Sequence, residues 1–331
     1  MKKILVVCLA CFLPVLSYSQ PGRSEPQIRQ WHLSEIRMRD VCIFPDPVTE
    51  TYYMIGMGRR NVPVYTSKDL ITWEGPEIIF TPAEDIWGDI PVINIWAPEM
   101  HYYRGKYYLF LTFDTRHRFP EQWRNWLPRV TRGSQVLVSD HPRGPYTPFE
   151  NRSTLPPDMM TLDGTLWVED GIPYMVFCHE WVQIKNGTIE YVQLENDLSK
   201  TVGEPVRLFD GSDGPWVKKS DDHGCHVTDG PYLYTSKSGK LFMIWTSHGY
   251  TGYTCGIAIS GSGKLAGPWK QQEEPLFAEN GGHGMLFTTF EGRLMMVLHA
   301  PNNPAAQPRI FEMEDTGETL RVVKEFTGKD V

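Results

Sequence analysis

The sequence lacks most of the features that would commit it to nucleic acid, membrane or redox chemistry. In 331 residues no Lys/Arg run exceeds two, and 40 acidic residues against 32 basic ones leave a formal charge of −8. A surface with a net negative field and no basic patch is a poor partner for polyanions and for an anionic bilayer. Cysteine is scarce: beyond the first twenty residues only Cys42, Cys178, Cys225 and Cys255 remain, widely separated and each beside strand-like apolar residues. That spacing excludes a zinc knuckle or a Cys-x-x-Cys redox pair and predicts buried thiols. No segment approaches eighteen uninterrupted apolar residues, so no spanning helix is expected. Helical periodicity is missing too, since no stretch sustains it for three turns.

What is present begins with a leader. Lys2 and Lys3 precede the apolar run Ile4 to Leu16, and Ser17, Tyr18 and Ser19 supply a cleavage site before Gln20. Residues 1–19 read as a secretory signal, with 20–331 as a single mature domain that is soluble, monomeric, and periplasmic or extracellular. The aromatic content is high, with 11 Trp, 15 Tyr and 15 Phe. Aromatic faces exposed in a cleft stack on flat apolar ligands, sugar rings among them, although most of these residues are expected to pack.

From Arg39 onward, short runs of Val, Ile, Tyr, Phe and Trp alternate with Gly/Pro/Asp turns, which predicts an all-β fold. A unit recurs: an acid or His at a strand start, an aromatic or aliphatic strand eight to thirteen residues later, then a third strand closing on a polar turn. The five starts are Asp40, Glu99, Asp163, Asp229 and His283, spaced 59, 64, 66 and 54 residues apart. Sheets that cannot bury both faces alone and that repeat five times predict a five-bladed β-propeller, with the active site at one mouth of its central channel. The longest intervening segment, Asp114 to Gly133, carries Trp123, Trp126 and several arginines and is expected to overhang that mouth.

If those five residues occupy one position per blade, four acids and a His converge on the axis. Like charges confined together raise one another's pKa, so such a cluster is costly unless it binds something or shares protons. Two chemistries fit. Carboxylates in different environments suit glycosidic hydrolysis, one protonating the leaving oxygen while another activates water. Oxygen ligands around a cation suit a calcium site, but the Asp-x-Asp-x-Asp loop is absent and the acids span 190 residues, so catalysis is the favoured reading.

These residues resemble the motifs of glycoside hydrolase family 43, the five-bladed propeller family of arabinofuranosidases, arabinanases, xylosidases and some galactosidases. The resemblance rests on Arg39-Asp40-Val-Cys-Ile-Phe44, Trp96-Ala-Pro-Glu99, Leu162-Asp-Gly-Thr-Leu-Trp167, Thr228-Asp-Gly-Pro-Tyr-Leu-Tyr234 and Gly281-Gly-His283, and runs from about Met38 to Phe311. It implies single-step inversion with Asp40 as general base, Asp229 as general acid and Asp163 tuning and orienting that acid. It implies no required cofactor, a carbohydrate substrate bearing α-L-arabinofuranosyl, β-D-xylosyl or galactosyl units, and a structural calcium or sodium ion allowed in the channel beside His283. Trp96, Glu99 and Arg309 are expected to bind substrate, Arg309 by reaching the channel. The sequence departs from the family where Asp229 replaces a Glu, where Glu99 replaces an Asp and where Gly164 replaces a Pro. Asp222 and Glu180 are the reserve candidates for the acid. A noncatalytic sugar-binding propeller and a retaining fructan-type propeller hydrolase are the rival readings.

Overall fold

The computed structural model describes residues 29–219 and 224–328, so the leader lies outside the described residues. The chain forms five antiparallel sheets around an axis, a five-bladed β-propeller. Blade 1 comprises β1 (Gln30–His32), β2 (Cys42–Asp46), β3 (Thr51–Ile55), β4 (Val62–Ser67) and β5 (Thr72–Phe80). Blade 2 comprises β6 (Val92–Tyr103), β7 (Lys106–Arg118), β8 (Val130–Ser139) and β9 (Thr147–Pro148). Blade 3 has β10 (Thr161–Glu169), β11 (Ile172–His179), β12 (Thr188–Leu194) and β13 (Thr201–Asp210). Blade 4 has β14 (Asp229–Thr235), β15 (Leu241–Gly249), β16 (Gly252–Ser260) and β17 (Trp269–Gln271), and blade 5 has β18 (Gly282–Thr288), β19 (Leu294–Ala300), β20 (Gln307–Asp315) and β21 (Leu320–Glu325).

The local chemistry explains the blades. In blades 2 and 3 the inner hairpin closes through a two-residue turn, Arg104-Gly105 and Asp170-Gly171, with both residues at positive φ. Such turns match the right-handed strand twist, and Asp-Gly is among the sequences that form them most readily. The second strand of each blade, packed on both faces, is an almost continuous apolar run: β7, β11, β15 and β19 hold Leu109, Phe110, Leu111, Val176, Phe177, Phe242, Ile244, Val297 and Leu298, none more than 1% exposed. Cys42, Cys178 and Cys255 are buried thiols within this packing, as their apolar neighbours in the sequence imply.

The inner strands β2, β6, β10, β14 and β18 pack side by side around the axis. Many propellers interlock their ends by strand exchange, whereas here β1 pairs with β5 on the outside of its own blade. Side-chain packing and a few hydrogen bonds therefore close the ring. Met285 and Phe287 of blade 5 share a core cluster with Ile43 and Met54 of blade 1, Met38 N–H donates to the Ala306 carbonyl at 3.1 Å, and Phe290 N–H donates to the Tyr52 hydroxyl at 3.0 Å.

The segment Asp114 to Gly133 is not a plain loop. Strands β7 and β8 remain paired as far as Arg118 and Val130, so it forms a long hairpin whose tip, 119–129, carries Trp123 and Trp126 against each other at 5.8 Å. Trp126 in turn meets Trp181 of the short helix α1 (Trp181–Ile184) edge-on.

Candidate active site

One backbone irregularity, repeated in every blade, builds the site. Asp40, Ala97, Asp163, Gly230 and His283 all adopt left-handed φ between 42° and 57°. At each of them the inner strand carries one more residue than its partner. The pairing jumps from Trp96 to Glu99, from Leu162 to Thr165, from Asp229 to Tyr232 and from Gly282 to Met285. Blade 1 repeats the pattern, with Cys42 opposite Ile55 while Met57 N–H reaches the Arg39 carbonyl. An inserted left-handed residue is a β-bulge, which breaks strand alternation and re-aims a side chain. For non-glycine residues the conformation carries strain that surrounding contacts must hold.

Those contacts come largely from the preceding blade. Asp163 N–H donates to Thr112 Oγ1 at 3.0 Å, His283 N–H to Thr246 Oγ1 at 2.9 Å, and Asp40 N–H to His299 Nδ1 at 3.2 Å. Gly230 N–H donates instead to the carboxylate of Asp163, Oδ2 at 2.9 Å. Asp163 therefore grips the peptide that follows Asp229.

This geometry corrects the expected register. The equivalent positions are Asp40, Ala97, Asp163, Gly230 and His283, with Asp229 one residue earlier, level with Trp96, and Glu99 two residues later, level with Cys42, Thr165, Tyr232 and Met285. Counting acids in the sequence cannot detect the bulge, because the inserted residue leaves no side-chain signature of its own.

Asp40, Asp163, Asp229 and His283 nevertheless meet. His283 Nδ1 lies 3.7 Å from Asp40 Oδ1 and 3.6 Å from Asp163 Oδ2, and Asp163 and His283 are each 7% exposed. Burial pushes Asp163 up to about 8, helped by Asp229 and Asp40 and opposed by His283. Burial also raises Asp229 above the usual carboxylate range, against a hydrogen bond from Tyr253 and the positive field of His283. Desolvation rather than like-charge repulsion is thus the main cause of the raised carboxyls. Burial alone would depress His283, but Asp163, Asp40 and Asp229 together raise it above 6.5.

Two residues that no sequence motif singles out form the back wall. Tyr253 donates its hydroxyl to Asp229 Oδ2 at 2.8 Å, which leaves Oδ1 as the oxygen that can carry a transferable proton. Its ring stacks on fully buried His299 at 5.5 Å and 24°. Because His299 Nδ1 accepts from Asp40 N–H, its proton belongs on Nε2, facing Asn302 Oδ1 at 3.2 Å. Burial, outweighing the attraction of Asp40, lowers His299 to about 4, which keeps this ring neutral. A Tyr–His stack thus bridges the two outer carboxylates, with Asp229 at one end and the Asp40 backbone at the other.

At the rim, Arg132 lies 4.1 Å over the Trp96 ring and pairs with Glu180 at 2.5 Å and Asp114 at 2.7 Å. Glu180, a reserve candidate for the acid, is therefore committed to a guanidinium. Asp222, the other reserve, lies outside the described residues. Glu99 sits deeper in the channel, bonded to His101 at 3.0 Å. Arg309 does not reach the channel. It lies on β20, third strand from the axis, held by both oxygens of Glu325 at 2.8 and 2.7 Å and by Glu279 at 3.4 Å, because the pairing of β20 with β21 sets Glu325 beside it.

Among the described residues no three His, Cys, Asp or Glu side chains are placed to hold one ion. Glu99 is engaged by His101, and the groups level with it are a thiol, a thioether, a hydroxyl and a phenol. His283 sits between Asp40 and Asp163, and the nearby carboxylates draw its pKa upward.

Comparison with known proteins accords with the geometry. No functionally curated protein matches the chain closely enough to count. Among solved structures it is similar to an endo-arabinase from Bacteroides thetaiotaomicron VPI-5482, at 38% identity and TM-score 0.77 over 86% of this chain and 96% of that one. An endo-1,4-beta-xylanase from the same organism (20% identity, TM-score 0.68, covering 90% and 97%) and an alpha-L-arabinofuranosidase from Lactobacillus brevis (18%, 0.67, 86% and 94%) share the fold. The sequence profile of the glycosyl hydrolases family 43 matches residues 40–321. With that match spanning most of the molecule, the chain belongs to glycosyl hydrolase family 43.

Proposed function

We propose that this glycosyl hydrolase cleaves by single-step inversion, acting on α-L-arabinofuranosyl linkages first and β-D-xylosyl or galactosyl linkages second. The observation that carries the reading is the convergence of Asp40, Asp163, Asp229 and His283 from four blades on one buried cluster. The similarity to an endo-arabinase at 38% identity supports the arabinofuranosyl choice.

Asp40, ionised, takes a proton from a water as that water's oxygen bonds to the anomeric carbon. The glycosidic C–O bond breaks in the same step, and the leaving oxygen receives the proton of Asp229. The cycle ends with Asp40 protonated and Asp229 ionised, and exchange with solvent resets both. Asp163, bonded to Gly230 N–H, holds the acid's backbone in place. His283 lies between Asp40 and Asp163, and its field opposes the rise of the Asp163 pKa. Asp229 is one methylene shorter than a Glu, and its position one residue ahead of the bulge sets how far the proton must reach. Trp96, level with Asp229 in the ring of blades, offers one face to a sugar while Arg132 covers the other.

The test is a panel of 4-nitrophenyl α-L-arabinofuranoside, β-D-xyloside and β-D-galactoside together with linear arabinan, with the first-formed anomer followed by proton NMR. The expected result is turnover with inverted product, lost roughly a thousandfold or more in Asp40→Ala. Retained configuration would sink the single-step mechanism, and turnover surviving in Asp40→Ala would remove it as the base. No turnover on any glycoside would favour the sugar-binding alternative.

A further inference from the structure

The long hairpin of blade 2 concentrates positive charge on one side of the mouth. Between Thr115 and Arg132 the chain places five arginines and a single acid, Glu121, in a protein whose net charge is −8. Two of these arginines are engaged within the fold: Arg132 is bound by Asp114 and Glu180, and Arg129 pairs with Glu121 and covers Trp123, while Arg124 sits exposed on the outer tip. Arg116 and Arg118 are different. They are exposed, and no ion pair or hydrogen bond engages their side chains among the described residues.

Both face a cavity of about 500 Å³ beside the catalytic mouth. Strand alternation along β7 puts Asp114, Arg116 and Arg118 on one face, and Leu127, Trp181 and Val182 form the apolar wall opposite. The inner end is the Arg132–Glu180 pair. Arg132 lies on Trp96, and Glu180 is near enough to Asp229 to feel its charge, so the inner end of the cavity lies beside the acid cluster. The local acids are already bound to Arg132 and cannot neutralise the two outer guanidiniums. An aromatic wall facing two unpaired forked donors matches a ring that bears a carboxylate.

We propose that this cavity is a substrate subsite for a uronic acid carried by the glycan close to the scissile linkage, its carboxylate received by Arg116 and Arg118 and its ring seated against Trp181. This assignment rests on the glycosidase reading above. It gives the acidic protein a local attraction for acidic glycans that its overall charge would otherwise oppose.

The experiment compares uronate-bearing arabino- or xylo-oligosaccharides with the same chains after reduction of the carboxyl to the alcohol. Wild-type protein should favour the acidic chain in kcat/KM by roughly tenfold at low salt, with the preference shrinking as salt rises. In the Arg116→Gln/Arg118→Gln double variant the acidic-to-reduced ratio should fall to about one, while Arg124→Gln keeps the wild-type ratio. A wild-type ratio near one, or a preference that survives the double variant, overturns the subsite. If no glycoside is turned over, the catalytic reading fails on its own. The subsite is then tested by titration calorimetry with the same pair of oligosaccharides, where equal binding of the two by the wild-type protein rejects it.

Discussion

Replacing Tyr253 by Phe removes one oxygen from the site and leaves the ring stacked on His299. The lost group is the donor to Asp229 Oδ2 at 2.8 Å. Because that bond favours the ionised carboxylate, its removal raises the pKa of Asp229 further in a site where burial already raises it. A hydrogen bond to a charged group contributes about 1.5–3 kcal/mol, and one pKa unit corresponds to about 1.4 kcal/mol. The alkaline limb of the kcat/KM profile, where the acid loses its proton, should therefore move up by about one to two pH units. The freed carboxyl also loses its orientation, so kcat at the optimum should drop roughly ten- to a hundredfold. The assay is a pH–rate profile of wild type and Tyr253→Phe on one aryl glycoside. An alkaline limb that stays put or moves to lower pH would refute the idea that Tyr253 governs the proton of Asp229.

Other substitutions probe the bulge, the outer strands and the buried charges. At Gly230, where φ is +50°, an added Cβ would lie 3.0 Å from His283 Cγ. Gly230→Ala should lower Tm by roughly 5 °C and reduce activity by displacing His283, whereas a wild-type melting curve would show that the bulge tolerates the side chain. Arg309→Gln breaks a partly exposed pair with Glu325 and should cost about 0.5–1 kcal/mol of stability with kcat/KM unchanged; a tenfold loss of activity would return Arg309 to the site. The raised Asp163 carboxyl contributes stability that is complete below its unfolded value of 3.8 and is lost as pH rises towards about 8. Raised His283 adds a loss in the same direction above 6.5, while lowered His299 opposes folding only as pH falls from 6.5 towards about 4. Thermal melts should therefore show Tm falling from pH 6.5 to 8, with a shallower slope in Asp163→Asn; equal slopes would mean that the buried carboxyl does not set the trend.

Much of this architecture is legible in the amino-acid sequence. Turn chemistry and the spacing of apolar runs count the blades, because each blade must present the same buried strands to its neighbours. Asp40, Asp163, Asp229 and His283 stand out as polar residues beginning otherwise apolar strands. Their relative register is not legible, since a bulge adds a residue without altering composition. Tyr253 and His299 look like ordinary strand residues, and only the ring of blades brings them between Asp229 and Asp40. Arg309 departs from its expected place for a related reason: sequence shows that an arginine exists, but its partner is whichever carboxylate the sheet puts nearest, and on β20 that is Glu325. Similarly, Asp114 to Gly133 reads as a loop because its polar residues conceal the continued pairing of β7 and β8.

The central claim is that Asp229, a shorter acid than the family's Glu, donates the proton to the leaving group. Its most direct test is the leaving-group dependence of Asp229→Ala, assayed on a 2,4-dinitrophenyl glycoside, whose phenolate departs without help, and on an unactivated oligosaccharide of the same sugar. Cleavage of the oligosaccharide should fall by roughly a thousandfold or more, while the activated glycoside loses about tenfold or less. Equal losses on both substrates, or an oligosaccharide rate close to wild type, would contradict that claim.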